Sequence, residues 1–322
     1  MSPRLTDPLP PSHPCGRLPL PRPAPKIRSL KASTANPRRQ RPHRFITEVL
    51  LPALFRRKRG HRHGTQPIFP KLKHGEICLT WIGHASFLIQ SPEANILVDP
   101  NWANWLLVVR RLRHAGLAHH HLPNIDLVLI THAHFDHLNR RSLRQIASNQ
   151  PIVVPAGVGD LVHGIGFEKV YEMKWWERLR FPGAAVTFVP AKHWGARKVT
   201  DLHRGYGGYV IDLGGPIVYH AGDSAYFDGF REIGRKLKPE ISLLPIGAYH
   251  GPKFGENHMN PEEAFRAFQD LRSRFMVPMH FGTYQLSYEP LHEPPQRLMQ
   301  AAMRAGRLAD VRFLIEGMPT LF

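Results

Sequence analysis

His132-Ala133-His134-Phe135-Asp136-His137 place four metal-capable side chains within six positions, directly after the apolar, β-branched run from Ile125 to Thr131. Imidazole and carboxylate are the nitrogen and oxygen donors that Zn²⁺ accepts, and a catalytic site holds its ion with about three protein ligands while leaving a place for water. Four donors exceed that need. In extended backbone alternate side chains point the same way, so His132 and His134 can face one ion while Asp136 and His137, beyond a bend, face a second. The spacing therefore predicts two metals. It also demands a fold that carries further donors to the end of this strand. The chain holds 21 histidines, so chance clusters also occur; His119-His120-His121 reads as one, a solvated turn.

Three more strand-like runs end in a donor. Val186 to Pro190 is followed by His193, Pro216 to His220 by Asp223 in the turn Ala221-Gly222-Asp223, and Phe275 to Met279 by His280. Each alone is an ordinary turn residue. Together they supply the missing ligands at the carboxyl ends of strands, the edge where α/β folds assemble their sites. Asp99 closes another such run, Ile96 to Val98, and precedes Pro100.

The H-x-H-x-D-H loop followed in order by His193, Asp223 and His280 resembles the metallo-β-lactamase superfamily. Trp81 to Ala85 (WIGHA), Pro190 to Trp194 (PAKHW), Ala221 to Asp223, Pro245 to Tyr249 (PIGAY), His258 to Ala264 (HMNPEEA) and His280 to Thr283 (HFGT) are similar to its N-acyl-phosphatidylethanolamine-hydrolysing phospholipase D branch and bacterial relatives. The resemblance covers about residues 75 to 322. It implies an αβ/βα four-layer sandwich, with two facing mixed sheets flanked by helices. It implies two Zn²⁺ ions, one on His132, His134 and His193 and the other on Asp136, His137 and His280. Asp223 would bridge them, and a hydroxide between the ions would attack phosphorus. The resemblance gives Asp99 the task of orienting a ligand histidine. It counts Asp136 as catalytic as well as a ligand and gives His258 a catalytic place near the substrate, although Asn260-Pro261-Glu262-Glu263 also reads as a capped helix start that His258 merely precedes. His84 is read as a buried supporting histidine, with a phosphate contact as the alternative.

The strand and helix pattern agrees with one large α/β domain over residues 75–322. Strands are expected near 76–90, 95–99, 125–131, 151–154, 186–190, 207–212, 216–220, 241–245, 275–279 and 311–315, and helices near 139–149, 225–238, 261–274 and 294–305. Trp102, Trp105, Leu106, Val109 and Leu112 fall at helical spacing, which predicts an amphipathic helix packed on the core, or a lid that meets lipid.

The net charge of +18 belongs almost wholly to residues 1–74, with seventeen Lys and Arg against Asp7 and Glu48; the other 248 residues carry 26 against 23. This extension also holds 14 of the 31 prolines, and residues 1 to about 44 lack the apolar pattern that offsets ordering entropy. Phe45 to Phe55 is its apolar run, too short to span a bilayer; it either lies at a membrane surface or packs on the domain. With only Cys15 and Cys78, no disulfide framework is implied. A cytoplasmic protein is expected, with peripheral membrane attachment as the alternative.

Three functions fit these residues: a dizinc phosphodiesterase acting on a phospholipid or similar diester, a hydrolase of a lactone, lactam or thioester, and a nucleic-acid-binding protein or nuclease. A carboxylate at position 223 and the absence of Cys among the donors favour the first. The near-neutral domain disfavours nucleic acid, because phosphate-backbone binding needs clustered cations. Oligomeric state is not legible.

Overall fold

The computed structural model describes residues 45–60, 66–198, 200–251 and 254–322; the expected disordered stretch, residues 1 to about 44, lies outside them. A first mixed sheet is built from β1 (Cys78–Gly83), β2 (Ser86–Gln90), β3 (Asn95–Val98), β6 (Leu127–Leu129), β7 (Ile152–Pro155), β8 (Val170–Met173) and β15 (Thr320–Leu321). A second comprises β9 (Arg178–Phe181), β10 (Ala184–Val189), β11 (Gly208–Asp212), β12 (Val218–His220), β13 (Ile241–Pro245) and β14 (Phe275–Met279). The first has the order β15-β1-β2-β3-β6-β7-β8 and the second β14-β13-β12-β11-β10-β9. Each is part parallel and part antiparallel, the parallel pairs being β3/β6, β6/β7 and β7/β8 in one and β12/β13 and β13/β14 in the other.

The two sheets share one core. Phe87 and Ile89 of β2, Val98 of β3 and Leu129 of β6 meet Val186, Phe188, Tyr209 and Ile211 of the second sheet. The intervening residues Leu88, Leu97, Val128 and Ile152 point the other way, into a separate cluster closed by α2 (Arg140–Ile146) through Leu143 and Ile146. Period-two alternation thus divides apolar residues between two cores rather than between core and water. Helices α3 (Gly229–Leu237), α4 (Pro261–Leu271) and α5 (Glu293–Arg304) add Phe230, Ile233, Phe265, Phe268 and Leu298 to the larger cluster. Two mixed sheets packed face to face and flanked by helices form the four-layer sandwich that the resemblance implies. Strands covered on both faces read as near-continuous apolar runs, which is why β1, β10 and β13 stand out in the sequence.

Several expectations are corrected. The 76–90 run is two strands broken at His84–Ala85, where His84 takes a left-handed conformation, φ 57°. The expected strand at 311–315 is a single bridge from Val311 to Met276, and the edge of the first sheet is β15 instead. Strands β8 and β9 were not anticipated: their outer residues are only partly buried, so they lack an apolar signature. The amphipathic helix expected across Trp102–Leu112 is a two-stranded ribbon, β4 (Trp105–Leu106) and β5 (Val109–Arg110). Leu107, at φ 54°, makes its turn. Between Phe45 and Phe55 a π-helical turn, Ile46–Leu50, runs into α1 (Leu51–Phe55), and Val49 and Ala53 are buried. Arg56 Nη1 donates to Gln285 Oε1 at 3.0 Å, so this segment packs on the domain although its charge groups it with the extension. His119–His121 form a short 3₁₀ turn at the surface.

Helices α3 and α4 dock where Gly234 meets the end of α4; a Cβ at 234 would lie 2.6 Å from the Leu271 carbonyl oxygen. Alanine normally stabilises a helix interior over glycine by about 1 kcal/mol, but here overpacking of about 1–3 kcal/mol opposes it. Gly234→Ala is expected to lower the denaturant midpoint at unchanged slope; a raised midpoint would contradict the close approach.

Candidate metal centre

The donors arrive on strand ends from both sheets. After β6 the chain bends within the hexapeptide, with the His137 and Leu138 amides donating to the His134 carbonyl at 3.1 and 2.8 Å. The loop is then closed by α2, whose N-cap Asn139 accepts from Ser142 N. His193 follows β10, Asp223 follows β12, and His280 follows β14. In the turn before Asp223, glycine is required: Gly222 has φ 61°, and a Cβ there would meet the Gly207 carbonyl oxygen at 2.7 Å and Thr131 Cβ at 2.9 Å.

Two groups of donors converge. In one, His134 Nδ1 lies 2.9 Å from His132 Nε2 and 3.2 Å from His193 Nε2. In the other, Asp136 Oδ2 lies 3.3 Å from His280 Nε2, 3.6 Å from His137 Nε2 and 2.9 Å from His84 Nε2. Asp223 Oδ2 stands between them, 3.1 Å from His280 Nε2, 3.3 Å from His137 Nε2, 3.8 Å from His132 Nε2 and 3.9 Å from His193 Nε2. His84, which the sequence suggests as a supporting residue, is therefore as close to Asp136 as the expected ligands are.

The far sides of the rings fix which nitrogen faces inward. His137 Nδ1 donates to Asp99 Oδ2 at 2.6 Å, His193 Nδ1 to the Asn257 carbonyl at 3.0 Å, and His132 Nδ1 faces Thr131 Oγ1 at 3.0 Å. Each turns its Nε2 toward the cluster, where the neutral ring would offer a lone pair to a cation. Asp99, His84 and His280 all have positive φ, 47°, 57° and 60°. Such strain persists only where surroundings impose it, and it gathers at functional sites.

The electrostatics favour cations. Burial pushes the pKa of His132 and His193 well below the ordinary value, each aided by neighbouring imidazoles. Burial acts the same way on His137 and His280, but the carboxylates around them outweigh it, raising His137 well above the usual range and His280 to about 9. Burial works against ionised Asp136 and Asp223, yet the imidazoles hold both carboxyls well below the usual range. His134 Nε2, His137 Nε2, Asp223 Oδ1 and His258 Nδ1 are buried without a hydrogen-bond partner. Converging lone pairs and ionised carboxylates with no sulfur donor fit divalent cations that accept nitrogen and oxygen ligands, zinc among them.

The cluster forms the floor of a cavity of about 630 Å³ lined by His134, Asp136, Asp223 and His258, with Leu106, Val109, Trp194, Arg197, Phe254 and Leu286 among its walls. His258 Nδ1 is 3.8 Å from Asp223 Oδ2. The capping box of Asn260 and Glu263 that follows it is also present, so both readings of this segment hold at once. Supporting residues escaped the sequence reading. Arg197 Nη1 donates to the Ala133 and Leu138 carbonyls, both at 2.8 Å, and Asn101 Nδ2 donates to the Asp136 carbonyl at 2.7 Å. Thr283 Oγ1 accepts from the His84 amide. These act on backbone from distant positions. Only the HFGT motif hinted at one of them.

Comparison with known proteins places the chain among metal-dependent hydrolases of one superfamily. The β-lactamase superfamily domain matches residues 94–281. N-acyl-phosphatidylethanolamine-hydrolyzing phospholipase D 1 of Caenorhabditis elegans is 30% identical over 257 residues, which cover 73% of this chain and 72% of that protein. A metal-dependent hydrolase of Rubrobacter xylanophilus is 32% identical over 245 residues, covering 74% and 94%. Among solved structures, the metallo hydrolase Igni18 of Ignicoccus hospitalis matches with a TM-score of 0.59 at 27% identity, over 77% of this chain and 98% of that one.

Asp99→Asn keeps a residue type that tolerates positive φ but weakens the acceptor that orients His137. Divalent-cation affinity, measured by competition with a chromogenic chelator, is expected to fall roughly 10- to 100-fold. An unchanged affinity would show that His137 needs no such support.

Proposed function

The chain belongs to the metallo-β-lactamase superfamily, and from that membership we propose that it is a metal-dependent hydrolase that cleaves phosphodiesters, phospholipids foremost, at a dinuclear zinc centre. The observation that carries this reading is the single Asp223 oxygen set between two groups of nitrogen and oxygen donors. In the proposed assignment His132, His134 and His193 hold one ion, Asp136, His137 and His280 the other, and Asp223 bridges. A zinc pair held there would lower the pKa of bound water and draw charge from the attacking and leaving oxygens of a displacement at phosphorus.

The chain's own groups then bind and orient. The cavity walls are mainly apolar, with Leu106, Val109, Phe254 and Leu286 placed to take acyl or other hydrocarbon. Arg197 is the cation among the lining residues. Burial, with Arg140 next, pushes its pKa down only to about 10, so it stays charged and favours an anionic diester. His258 is neutral at ordinary pH, because burial pushes it down to about 4 against the pull of Asp223. It faces the same cavity and is assigned a hydrogen bond to the phosphoryl or leaving group. Asp136 serves as a ligand, kept anionic against the effect of burial by His137 first, then His280 and His84. The likeness to a phospholipase D at 30% identity supports the lipid diester over other substrates. A membrane surface is the natural source of such a substrate; among the described residues no helix is long and apolar enough to cross one.

Purified protein is expected to hold two zinc equivalents and to hydrolyse N-acyl-phosphatidylethanolamine or a generic phosphodiester in preference to a lactone, a β-lactam, a thioester or RNA. Asp223→Asn should abolish turnover and lower the metal content. His258→Ala should keep both metals and lose about 10²–10⁴-fold in kcat if it transfers a proton. One equivalent of metal, or preference for the lactone, would overturn the assignment.

A further inference from the structure

Beside the cavity mouth the fold leaves large apolar side chains in water. Phe55 is 89% exposed, Leu107 72% and Val108 64%, and Leu51, Leu54 and Trp105 are exposed with them. Two segments far apart in sequence make this one surface. Arg110 Nη1 donates to the Leu54 carbonyl at 2.6 Å and to the Arg56 carbonyl at 3.1 Å, and Lys58 Nζ donates to Asn104 Oδ1. The ribbon tip is held outward at a cost, since Leu107 sits at φ 54°, where glycine or asparagine would be relaxed.

The surroundings are cationic. Residues 45–60 and 101–115 carry seven Lys and Arg against Glu48 alone; Arg111 is buried and Arg113 pairs with Glu316 at 2.8 Å, which leaves Arg56, Arg57, Lys58, Arg59 and Arg110 accessible. The adjoining cavity of about 520 Å³ is lined by Lys58, Arg111, Arg141, His114 and His119, with no carboxylate among the described residues that line it. Burial, with Arg111 and Arg110 next, lowers the pKa of Lys58.

We infer that this surface docks on an anionic lipid bilayer, with Phe55, Leu107 and Val108 entering the boundary of headgroups and acyl chains, Trp105 at headgroup depth, and the flanking cations on lipid phosphates. Other occupants fit worse. Residues 1–44 carry ten Lys and Arg against Asp7, a charge of the same sign as the patch. A second copy meeting this patch across a two-fold axis would oppose cation to cation. Nucleic acid would satisfy the cations but offers no partner for Leu107 and Val108. The lipid reading rests on the proposed function only for its purpose: Leu106 and Val109 of the same ribbon line the cavity, so a docked molecule would present that mouth to the bilayer.

Flotation of the full chain with phosphatidylcholine vesicles, with and without phosphatidylglycerol, tests this. Wild type is expected to float with the anionic vesicles, less so at high salt. Leu107→Asn/Val108→Ser should lower the partition coefficient roughly tenfold or more, and Arg57→Glu/Arg59→Glu should remove the preference for phosphatidylglycerol. Both variants should retain wild-type hydrolysis of bis(p-nitrophenyl) phosphate. Asparagine suits the turn at 107; if that variant nonetheless loses its thermal transition, Phe55→Ser takes its place with the same expectation. Equal partitioning of wild type and variants, a dimer in sedimentation velocity that Leu107→Asn/Val108→Ser dissolves, or RNA binding with no vesicle binding would each overturn docking on lipid. Vesicle binding without hydrolysis of any diester would leave the docking surface standing and remove the phosphodiesterase reading.

Discussion

The Asp99 carboxylate joins the strand scaffold to the donor cluster. It is fully buried and accepts from Thr131 N at 2.8 Å, Thr131 Oγ1 at 2.6 Å and His137 Nδ1 at 2.6 Å. Because β3 and β6 run parallel as neighbours, the end of one strand lies against the start of the loop that leaves the other. The carboxylate thereby fixes both the first residue of that loop and the ring orientation of its last histidine. Left without it, a buried amide and a hydroxyl would each face a desolvation cost of about 1–3 kcal/mol. Thr131 passes the constraint on: its hydroxyl meets His132 Nδ1, its carbonyl accepts from Gly207, and its Cβ crowds Gly222 ahead of Asp223. The two sheets are thus tied at the site by backbone contacts, and not only by the core beneath it.

Burying this many ionisable groups is costly unless their charges are paired. The cluster answers by dividing its labour. His132 and His193 are neutral because burial dominates, whereas His137 and His280 take up positive charge beside Asp136, Asp223 and Asp99. Protons on those two imidazoles occupy the place in the charge balance that divalent ions would take, so cation binding and proton release are linked. The polar network is arranged around positive charge at its centre, and the orphaned nitrogens and the free Asp223 oxygen mark where that charge is short.

Much of this was legible in the sequence because the signals were local. Strands β6, β10, β12 and β14 are apolar runs covered on both sides, and the donor that follows each is read directly. The seven residues His132, His134, Asp136, His137, His193, Asp223 and His280 do converge, as the order of the motifs implied. What escaped was non-local. Arg197 and Asn101 act on carbonyls of the metal loop, and no spacing rule connects a side chain to a backbone 34 or more residues away. Strands β8 and β9 escaped for the opposite reason, having too little burial to pattern their sequence.

The ribbon β4–β5 shows how a correct hydrophobic pattern can serve a different geometry. Trp102, Trp105, Leu106, Val109 and Leu112 satisfy helical spacing, and a helix would have turned them all toward the core on one stripe. In the ribbon, Leu106 pairs with Val109 and Trp105 with Arg110. Successive residues of a strand face opposite ways, so the first pair looks into the cavity and the second toward α1. The same apolar residues are thereby split between the wall of the site and the outer surface. Their period recorded where the apolar residues fall, but not that part of the ribbon would be left in water. On that outer side Arg110 donates to the Leu54 and Arg56 carbonyls, a contact made across more than fifty residues that no local pattern carries.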